Sequence, residues 1–388
     1  MKVISMLMAC ALAGPVVAAQ PELTGTGAAA EGDAPFVVET VVENVEIPWA
    51  IVFASDGRMF FTERPGRVRL FEKGVLEKEP VYTVPEVKIG RGEIGLMGMC
   101  LHPQFEANHL AYIAYAHTDG DVRVERFELV GRAFTAPTEI LKGVPASINH
   151  AGCRIAFGPD GKLYITTGER FEKELAQDMS SLGGKTLRVS DDGSIPADNP
   201  FVGVTGARPE IWTFGHRNAQ GMDWQPGTGL MFQTEHGPSG EPGIGRDGDE
   251  LNIVERGKNY GWPRIHHGQT KEGMETPIRE WTPAIAPASG MFYTGAAFPE
   301  FRGNYLVGAL GGLGRERRPG IYRLVIDGRQ VVKEEVLAKE FGRIREVVQG
   351  PEGAIYFSTS NRDGRSTRAM HTPKDDRILR LVPKSGGK

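Results

Sequence analysis

The chain has 388 residues, 40% of them hydrophobic, which is enough to bury a large core. Its 45 basic and 49 acidic side chains give a formal net charge of −4, and lysine and arginine form no long run, so a nucleic-acid partner is not expected. The 51 glycines and 26 prolines indicate many tight turns and few long helices, which favours an all-β fold.

The N-terminus has the pattern of a secretory signal peptide. Residues 1–19 contain one lysine, an apolar stretch and small residues at the expected cleavage point. The stretch is too short for a stable membrane span. We therefore expect a periplasmic or secreted protein, with lipoprotein anchoring at Cys10 as an alternative. Residues 20–34 are predicted to be a flexible leader, and residues 35–388 a single domain.

Two cysteines, Cys100 and Cys153, remain after removal of this signal. An oxidising compartment permits one disulfide between them, but two buried free thiols are equally compatible with the sequence, because spacing alone does not show contact.

A repeated pattern runs along the rest of the chain. Each copy has a turn, an apolar and aromatic strand, and a polar end; the clear copies are 55–63, 159–169, 227–235 and 351–360, and weaker ones are 102–117 and 298–310. Several copies precede a second short strand, at 66–74, 121–129 and 320–328. Six such units predict a six-bladed β-propeller. Equivalent strand ends converge on a propeller axis, so Glu63, Glu169 and Glu235 are expected around one funnel.

One segment is ambiguous by periodicity. The apolar residues between 337 and 348 recur at helical spacing, although they directly precede the last repeat.

Several stretches carry more polar residues than a β scaffold needs. They are INHAG (148–152), GRGEIGLMG (90–98), FGHRNAQG (214–221), TEHGPSGEPGIGRDGDELN (234–252) and GRIREV (342–347). Together they suggest an anion held by arginines beside a cation held by oxygen ligands. The alternatives are a hydrogen-bonded turn histidine at His150, a solvated Arg343/Arg345 face, and an ordinary surface cluster at Asp247, Asp249 and Glu250.

In combination and in this order, the motifs HAGCRIAFGPDGKLYITTGE, FGHRNAQGM, TEHGP, DELNIVERGKNYGWP and RIREV resemble those of the soluble PQQ-dependent glucose/sorbosone (aldose sugar) dehydrogenases. The resemblance extends from residue 47 to residue 383. It implies a six-bladed propeller that holds PQQ and Ca²⁺ in an axial funnel and oxidises aldoses to lactones. The chain has no Cys-x-x-Cys-His haem motif, so the electron acceptor, a quinone or a cytochrome, would be separate.

The resemblance also implies roles for individual residues. His150 corresponds to the base that removes the proton of the anomeric hydroxyl, Glu169 to the carboxylate that orients it, and Arg217 to a third member of the catalytic group. The implied cofactor contacts are Glu93, Arg217, Asn218, His236, Arg343 and Arg345. The implied calcium ligands are the carbonyls of Gly237 and Pro238, with Asp249, Glu250 and Tyr260 at a separate structural site.

Four positions depart from the pattern of this family. Glu169 replaces an aspartate, which would require a shifted backbone, and Glu93 replaces a glutamine. Gly311 occupies the expected place of a cofactor-binding lysine, for which Arg315 or Arg317 could compensate. Ser360 or Asn361 stands where an aspartate is common.

These departures keep two other functions open. One is a binding propeller that has lost the cofactor and catalysis. The other is a calcium-dependent lactonase, although such an enzyme needs axial metal-binding carboxylates, whereas this sequence offers arginines.

Overall fold

Six antiparallel sheets of four or five strands form the fold in this computed structural model, which describes residues 16–17, 34–90, 92–312, 318–363 and 371–384. The innermost strand of each sheet contacts the innermost strands of the two neighbouring sheets, so the sheets form a closed ring. The predicted six-bladed β-propeller is confirmed.

The strands of each blade are given from the axis outward. Blade 1 contains Pro48–Phe53, Met59–Glu63, Arg67–Glu72 and Val75–Leu76, with Tyr82–Thr83 also paired to the third strand. Blade 2 contains Leu96–Leu101, Leu110–Ala116, Asp121–Val130 and Ala133–Pro145. Blade 3 contains Ile155–Phe157, Leu163–Thr166, Lys185–Val189 and Ile211–Phe214.

The other three blades follow the same plan. Blade 4 contains Ala219–Trp224, Met231–Glu235, Asp249–Val254 and Arg279–Trp281. Blade 5 contains Met291–Phe292, Tyr305–Ala309, Gly320–Asp327 and Gln330–Leu337. Blade 6 contains Ile344–Gln349, Ile355–Thr359, Ile378–Pro383 and Phe36–Val42.

Short elements connect these strands. They are the helix Phe105–Asn108, the 3₁₀ turns Lys173–Ala176, Pro299–Phe301 and Lys339–Phe341, and the strand pairs Ser239–Glu241 with Gly245–Arg246 and Val16–Val17 with Gln269–Thr270. Within the described residues, no helix is both long and apolar enough to span a membrane.

The two ends of the propeller domain close the ring together. The strand Phe36–Val42 pairs along its length with the C-terminal strand Ile378–Pro383. Blade 6 therefore joins the first strand of the domain to the last three, and the closed ring leaves no exposed inner sheet edge.

Each of the six predicted repeats contains the second strand of one blade. The ambiguous segment before the last repeat is not a helix: strand Gln330–Leu337 and the turn Lys339–Phe341 are followed by the innermost strand Ile344–Gln349. This innermost strand contacts blades on both sides, so its apolar residues need not alternate as they do in a half-exposed strand.

The two cysteines lie in the core. Cys100 and Cys153 are buried free thiols, so the disulfide alternative is not realised. Burial raises the pKa of the Cys153 thiol to about 12, which keeps it protonated and unreactive.

The antiparallel order of the blades determines where the polar residues meet. Because first and second strands run in opposite directions, the residues that precede a first strand lie beside the end of the second strand. Pro48 pairs with Glu63, Ala219 with Glu235, and Ile344 with Thr359 in this way. The start of each first strand and the end of each second strand therefore surround one mouth of the axis.

Candidate functional site

The pair formed by His150 and Glu169 lies at this mouth in blade 3. The Nδ1 atom of His150 is 3.0 Å from both carboxylate oxygens of Glu169, and both side chains are buried. Since a carboxylate accepts hydrogen bonds, this contact places the imidazole proton on Nδ1 and leaves the Nε2 lone pair available. Nε2 makes no hydrogen bond to any described residue, so His150 is arranged as a base.

The backbone after Glu169 adapts to the longer side chain. Arg170 and Phe171 have φ values of 51° and 68°, and the N–H of Phe171 donates to Oε2 of Glu169. The N–H of Glu169 donates in turn to the carbonyl of Arg217 at 3.0 Å. Both carboxylate oxygens of Glu169 therefore reach His150, and the two residues that follow are left-handed.

Glu93 connects three blades at the centre of the mouth. Its Oε2 accepts from the backbone N–H of His150 at 3.1 Å, from Nδ2 of Asn218 at 3.0 Å and from Nε2 of Gln220 at 3.2 Å. Its Oε1 lies 3.8 Å from Nδ1 of His236. Three donors thus face the carboxylate, so the glutamate at this position is well accommodated.

A group of guanidinium side chains faces the same space from blades 1 and 6. Asp363 Oδ2 lies 3.3 Å from Nη2 of Arg343, 3.3 Å from Nη2 of Arg345 and 3.7 Å from Nη1 of Arg64. Arg345 also donates to Gln220 at 2.8 Å, and burial lowers its pKa to about 10. Nε of Arg64 and Nε of Arg345 are buried without a hydrogen-bond partner among the described residues. These features suit a large anion.

Arg217 enters the mouth from blade 4. Its guanidinium donates to Glu241 at 2.6 Å and to Ser239 at 2.8 Å, and lies over the Trp262 ring at 5.4 Å. Its backbone N–H donates to Glu235. Three glutamates were expected around the funnel. Two of them accept hydrogen bonds from site residues: Glu169 from Nδ1 of His150 and Glu235 from the N–H of Arg217.

Glu63, the third, bonds to neighbouring arginines and to the backbone of blade 1. It accepts from the N–H of Glu46 at 2.7 Å and from Nε of Arg67 at 2.7 Å. It therefore stabilises blade 1, and its described contacts do not involve the candidate base.

His236 lies among the charged residues of the site. Nε2 is 2.9 Å from the carbonyl of Pro287, and the charges of Glu93, Arg217, Arg345 and His150 all influence its titration. Burial, which outweighs these charges, lowers the pKa of His236 to about 3, so the imidazole is neutral near physiological pH. The distances bring these residues together: Nδ1 of His236 lies 3.8 Å from Oε1 of Glu93, and Nη1 of Arg217 donates to the carbonyl of His236 at 3.3 Å.

A hollow of about 110 Å³ has His236 and Arg246 in its lining. Gly237, Pro238, Asp247 and Asp249 are among its lining residues. The carbonyl of Pro238 accepts from the N–H of Asp247 at 2.9 Å and retains a second lone pair, while Gly237 N–H donates to Asp249. Carbonyl and carboxylate oxygens are the ligands that calcium prefers.

Asp249 and Glu250, two residues of the second predicted calcium site, have different hydrogen-bond partners. Asp249 and Glu250 are consecutive strand residues, so their side chains point to opposite faces of the sheet. Asp249 accepts from the N–H groups of Gly237, Ile285 and Ala286, whereas Glu250 accepts from Asn252.

Tyr260, the third residue predicted for this site, is bonded to backbone groups through its hydroxyl. Its hydroxyl donates to the carbonyl of Ile253 at 2.6 Å and accepts from the N–H of Glu255 at 2.9 Å. Within the described part of the chain, no group of three or more His, Cys, Asp or Glu side chains is arranged to hold a metal ion. The separate calcium site at Asp249, Glu250 and Tyr260 stays a prediction.

Two other departures have structural explanations. The side chain of Asn361 accepts from the N–H of Arg343, and Asp363, two residues further on, supplies the carboxylate whose absence the sequence suggested. Gly311 has a φ of 77°, and a Cβ there would lie 3.0 Å from Pro319, so a lysine would be strained. Arg315 and Arg317 lie outside the described residues.

Sequence reasoning missed four residues of the site. Arg64 and Asp363 were not singled out because each follows a strand without a distinctive motif, and Gln220 lies in FGHRNAQG but was not assigned a role there. Phe171 was missed because an exposed aromatic residue gives no periodic signal. The polar ends of the second strands were the available signal for Arg64, which directly follows Glu63.

The fold and the site together define a class: a six-bladed β-propeller with a buried histidine–carboxylate pair and a cluster of arginines at one axial mouth. The chain belongs to the glucose/sorbosone dehydrogenase family, because the model of that family matches residues 45–368. The family resemblance suggested by the sequence is confirmed, and sugar oxidoreductases of the quinoprotein type are its relatives.

Individual relatives agree with this assignment. The aldose sugar dehydrogenase of Escherichia coli is 32% identical over 350 residues, which covers 84% of this chain and 91% of that protein. A Thermus thermophilus structure described as an oxidoreductase (glucose dehydrogenase) has a TM-score of 0.81 and 42% identity, covering 89% of this chain and all of that one. The PQQ-bound aldose sugar dehydrogenase of Streptomyces coelicolor has a TM-score of 0.76 and 29% identity, covering 90% and 99%.

Proposed function

We propose that the protein is a PQQ- and calcium-dependent dehydrogenase that oxidises aldose sugars at the anomeric carbon to lactones. The observation that carries this proposal is the buried His150–Glu169 pair, whose free Nε2 adjoins a mouth lined by arginines. Its relatives include a quinoprotein glucose dehydrogenase, 31% identical over 263 residues, and the PQQ-bound enzyme already described.

The basic cluster fits PQQ, which carries three carboxylates. Arg64, Arg343 and Arg345 all lie near the carboxylate of Asp363, and Nε of Arg64 and of Arg345 lacks a partner among the described residues. Arg217 and Asn218 would hold the cofactor from blade 4, with His236 beside it. Planar guanidinium groups bind carboxylates through paired hydrogen bonds, which makes arginine suited to this ligand.

His150 supplies the acid–base chemistry of the reaction. Glu169 holds the imidazole in the tautomer that presents Nε2, and burial of both side chains excludes competing water. Nε2 would take the proton of the anomeric hydroxyl, while the carboxylate of Glu169 stabilises the resulting imidazolium. When bound, PQQ supplies the hydride acceptor that no side chain provides.

The carbonyls of Gly237 and Pro238 would hold one calcium ion against the cofactor. The hollow lined by Gly237, Pro238, Asp247 and Asp249 supports this assignment, since Asp249 fixes the peptide of Gly237 by accepting its N–H at 2.8 Å. A cation there would polarise a bound carbonyl group and offset the negative charge of the cofactor.

We further propose that the protein acts in the periplasm or outside the cell, with a separate quinone or cytochrome as electron acceptor. The support is the signal-like sequence at residues 1–19 and the lack of a haem attachment motif. Fractionation of cells that express the full chain, together with the N-terminal sequence of the mature protein, tests the location.

Reconstitution of the apoprotein tests the function. We expect purified apoprotein to reduce a redox dye in the presence of an aldose only after addition of both PQQ and Ca²⁺. The lactone product would be identified by mass spectrometry. Failure of PQQ to bind would favour a binding propeller without a cofactor, whereas hydrolysis of added lactones without PQQ would favour a lactonase.

A further inference from the structure

We infer that Phe171 contacts the substrate, its exposed ring forming a platform on which the pyranose ring of the sugar stacks beside His150. This inference rests on the proposed function, because it assigns a binding surface to the sugar whose anomeric hydroxyl faces the imidazole. It adds a specificity-determining residue to those implied by the family resemblance.

The position of the ring is the first observation. The centroid of the Phe171 ring lies 4.0 Å from that of the His150 imidazole, and the two planes are inclined by 41°. Phe171 is nevertheless 49% exposed, the only aromatic residue among the exposed large apolar residues that the structure describes. A sugar that reaches Nε2 of His150 would therefore meet the free surface of this ring.

The way in which the ring is held is the second observation. The two residues Arg170 and Phe171 both adopt left-handed backbone conformations, with φ values of 51° and 68°, which residues other than glycine rarely adopt. The carboxylate of Glu169 accepts hydrogen bonds from the backbone N–H of Phe171 and from Nδ1 of His150. One carboxylate thus fixes both the base and the aromatic ring, so their mutual geometry is preorganised.

The surroundings of the ring favour a sugar over water. Ile148 lies two residues before His150, is 53% exposed, and its carbonyl accepts the N–H of Glu93 at 2.7 Å. The surroundings of His150 therefore offer two exposed apolar side chains, Phe171 and Ile148, and the carboxylate of Glu93, which accepts from the N–H of His150. A pyranose has the matching character, because its C–H groups pack on an aromatic face while its hydroxyls reach polar partners.

Binding of methyl β-D-glucopyranoside tests this inference without turnover, because this glycoside has no free anomeric hydroxyl to oxidise. Its affinity for the PQQ- and Ca²⁺-loaded protein, and for the apoprotein, would be measured by ligand-observed NMR. We expect Phe171→Ala to weaken binding about tenfold and Phe171→Tyr to retain it. Val204→Ala is the matched control, because Val204 is also 49% exposed.

Steady-state kinetics provide the second readout. With aldoses, we expect Phe171→Ala to raise KM about tenfold and to change kcat by less than about threefold. Phe171→Leu distinguishes the aromatic face from apolar bulk, and we expect it to resemble Phe171→Ala. Thermal unfolding of each variant shows whether the fold is retained.

Three results would overturn the inference. They are unchanged glycoside affinity in Phe171→Ala, a loss confined to kcat and its pH profile, and a change only in KM for the electron acceptor. If the wild-type protein binds the glycoside but neither binds PQQ nor oxidises aldoses, the proposed function fails while the Phe171 variants still test the platform. If the wild type oxidises aldoses but Phe171→Ala does so with unchanged KM, only the platform fails.

Discussion

The imidazole of His150 donates its Nδ1 proton to the carboxylate of Glu169, which ends the polar segment after the second strand of the same blade. The next blade repeats this relationship over the same separation of 19 residues, with Nδ1 of His216 at 2.9 Å from Glu235. Nε2 of His216 is bonded to Thr213 and the residue is fully buried. The same histidine–glutamate hydrogen bond is therefore a structural element in blade 4, whereas in blade 3 it orients the candidate base His150.

This duplication provides a test of the role of His150. We expect His150→Gln to lower kcat for aldoses by about 10²- to 10⁴-fold, because it removes the proton acceptor, and to leave the Kd for PQQ within about twofold. His216→Gln should lower the free energy of unfolding by about 1–3 kcal/mol and reduce kcat less than about tenfold. Stopped-flow reduction of bound PQQ and urea unfolding measure the two effects.

Retention of near-normal turnover in His150→Gln would exclude this histidine as the base. A larger loss of turnover in His216→Gln than in His150→Gln would reverse the roles that we assign to the two blades.

Glu169 is expected to be required at its full length. Glu169→Asp shortens the side chain by one methylene, so the carboxylate can no longer reach both Nδ1 of His150 and the N–H of Phe171 in the present backbone. We expect kcat to fall about tenfold, as for the loss of one charge-assisted hydrogen bond. Glu169→Gln keeps the length but removes the charge, and it should lower kcat further because the imidazolium is no longer stabilised. Equal activity of Glu169→Asp and the wild type would show that the longer side chain is incidental.

Arg345 is expected to contribute to cofactor affinity. Its guanidinium is buried, shares Asp363 with Arg343, and has an unpartnered Nε. We expect Arg345→Ala to raise the Kd for PQQ roughly tenfold to hundredfold, the effect of losing a hydrogen bond between charged groups. Arg58→Ala is the control, because Arg58 pairs with Asp56 at the exposed surface. Fluorescence titration with PQQ gives both values, and equal affinities would place the cofactor away from the basic cluster.

Lys185 is expected to make stability depend on pH. Its buried ammonium donates to the carbonyls of Leu175 at 2.6 Å, Ala176 at 3.2 Å and Gly183 at 2.7 Å, and burial lowers its pKa to about 7. The unfolded chain, with an ordinary lysine pKa near 10.4, binds more protons than the folded protein above pH 7. The free energy of unfolding therefore rises as the pH increases.

The size of this effect follows from the same shift. Between pH 7 and pH 8.5 we expect the contribution of Lys185 to increase by about 1–2 kcal/mol, since each pKa unit corresponds to about 1.4 kcal/mol. Below about pH 6 both states are protonated and the contribution is constant. Urea unfolding of the wild type and Lys185→Met at several pH values isolates the effect. The other titrating groups contribute equally to the free energy of unfolding of both proteins, so they cancel in the difference. Parallel stability curves for the two proteins would show that Lys185 stays charged.

The sequence by itself determined the six repeats. Each repeat combines a turn, an apolar and aromatic strand that packs between two neighbouring strands, and a polar end. It also located His150, Arg217, Asn218, Arg343 and Arg345, since their polar motifs exceed what a β scaffold needs. The position of Asp249 and Glu250 on one strand already fixed their side chains to opposite faces.

Only the tertiary structure decided which distant residues meet. Ring closure brings Arg64 of blade 1 to Asp363 of blade 6, a contact across nearly the whole chain that no local pattern encodes. It likewise decided that Glu169 reaches both His150 and Phe171, since this depends on left-handed backbone conformations that ordinary propensities disfavour. Local sequence sets the strands and their polar ends, whereas packing of the blades around the axis determines which of those ends form a site.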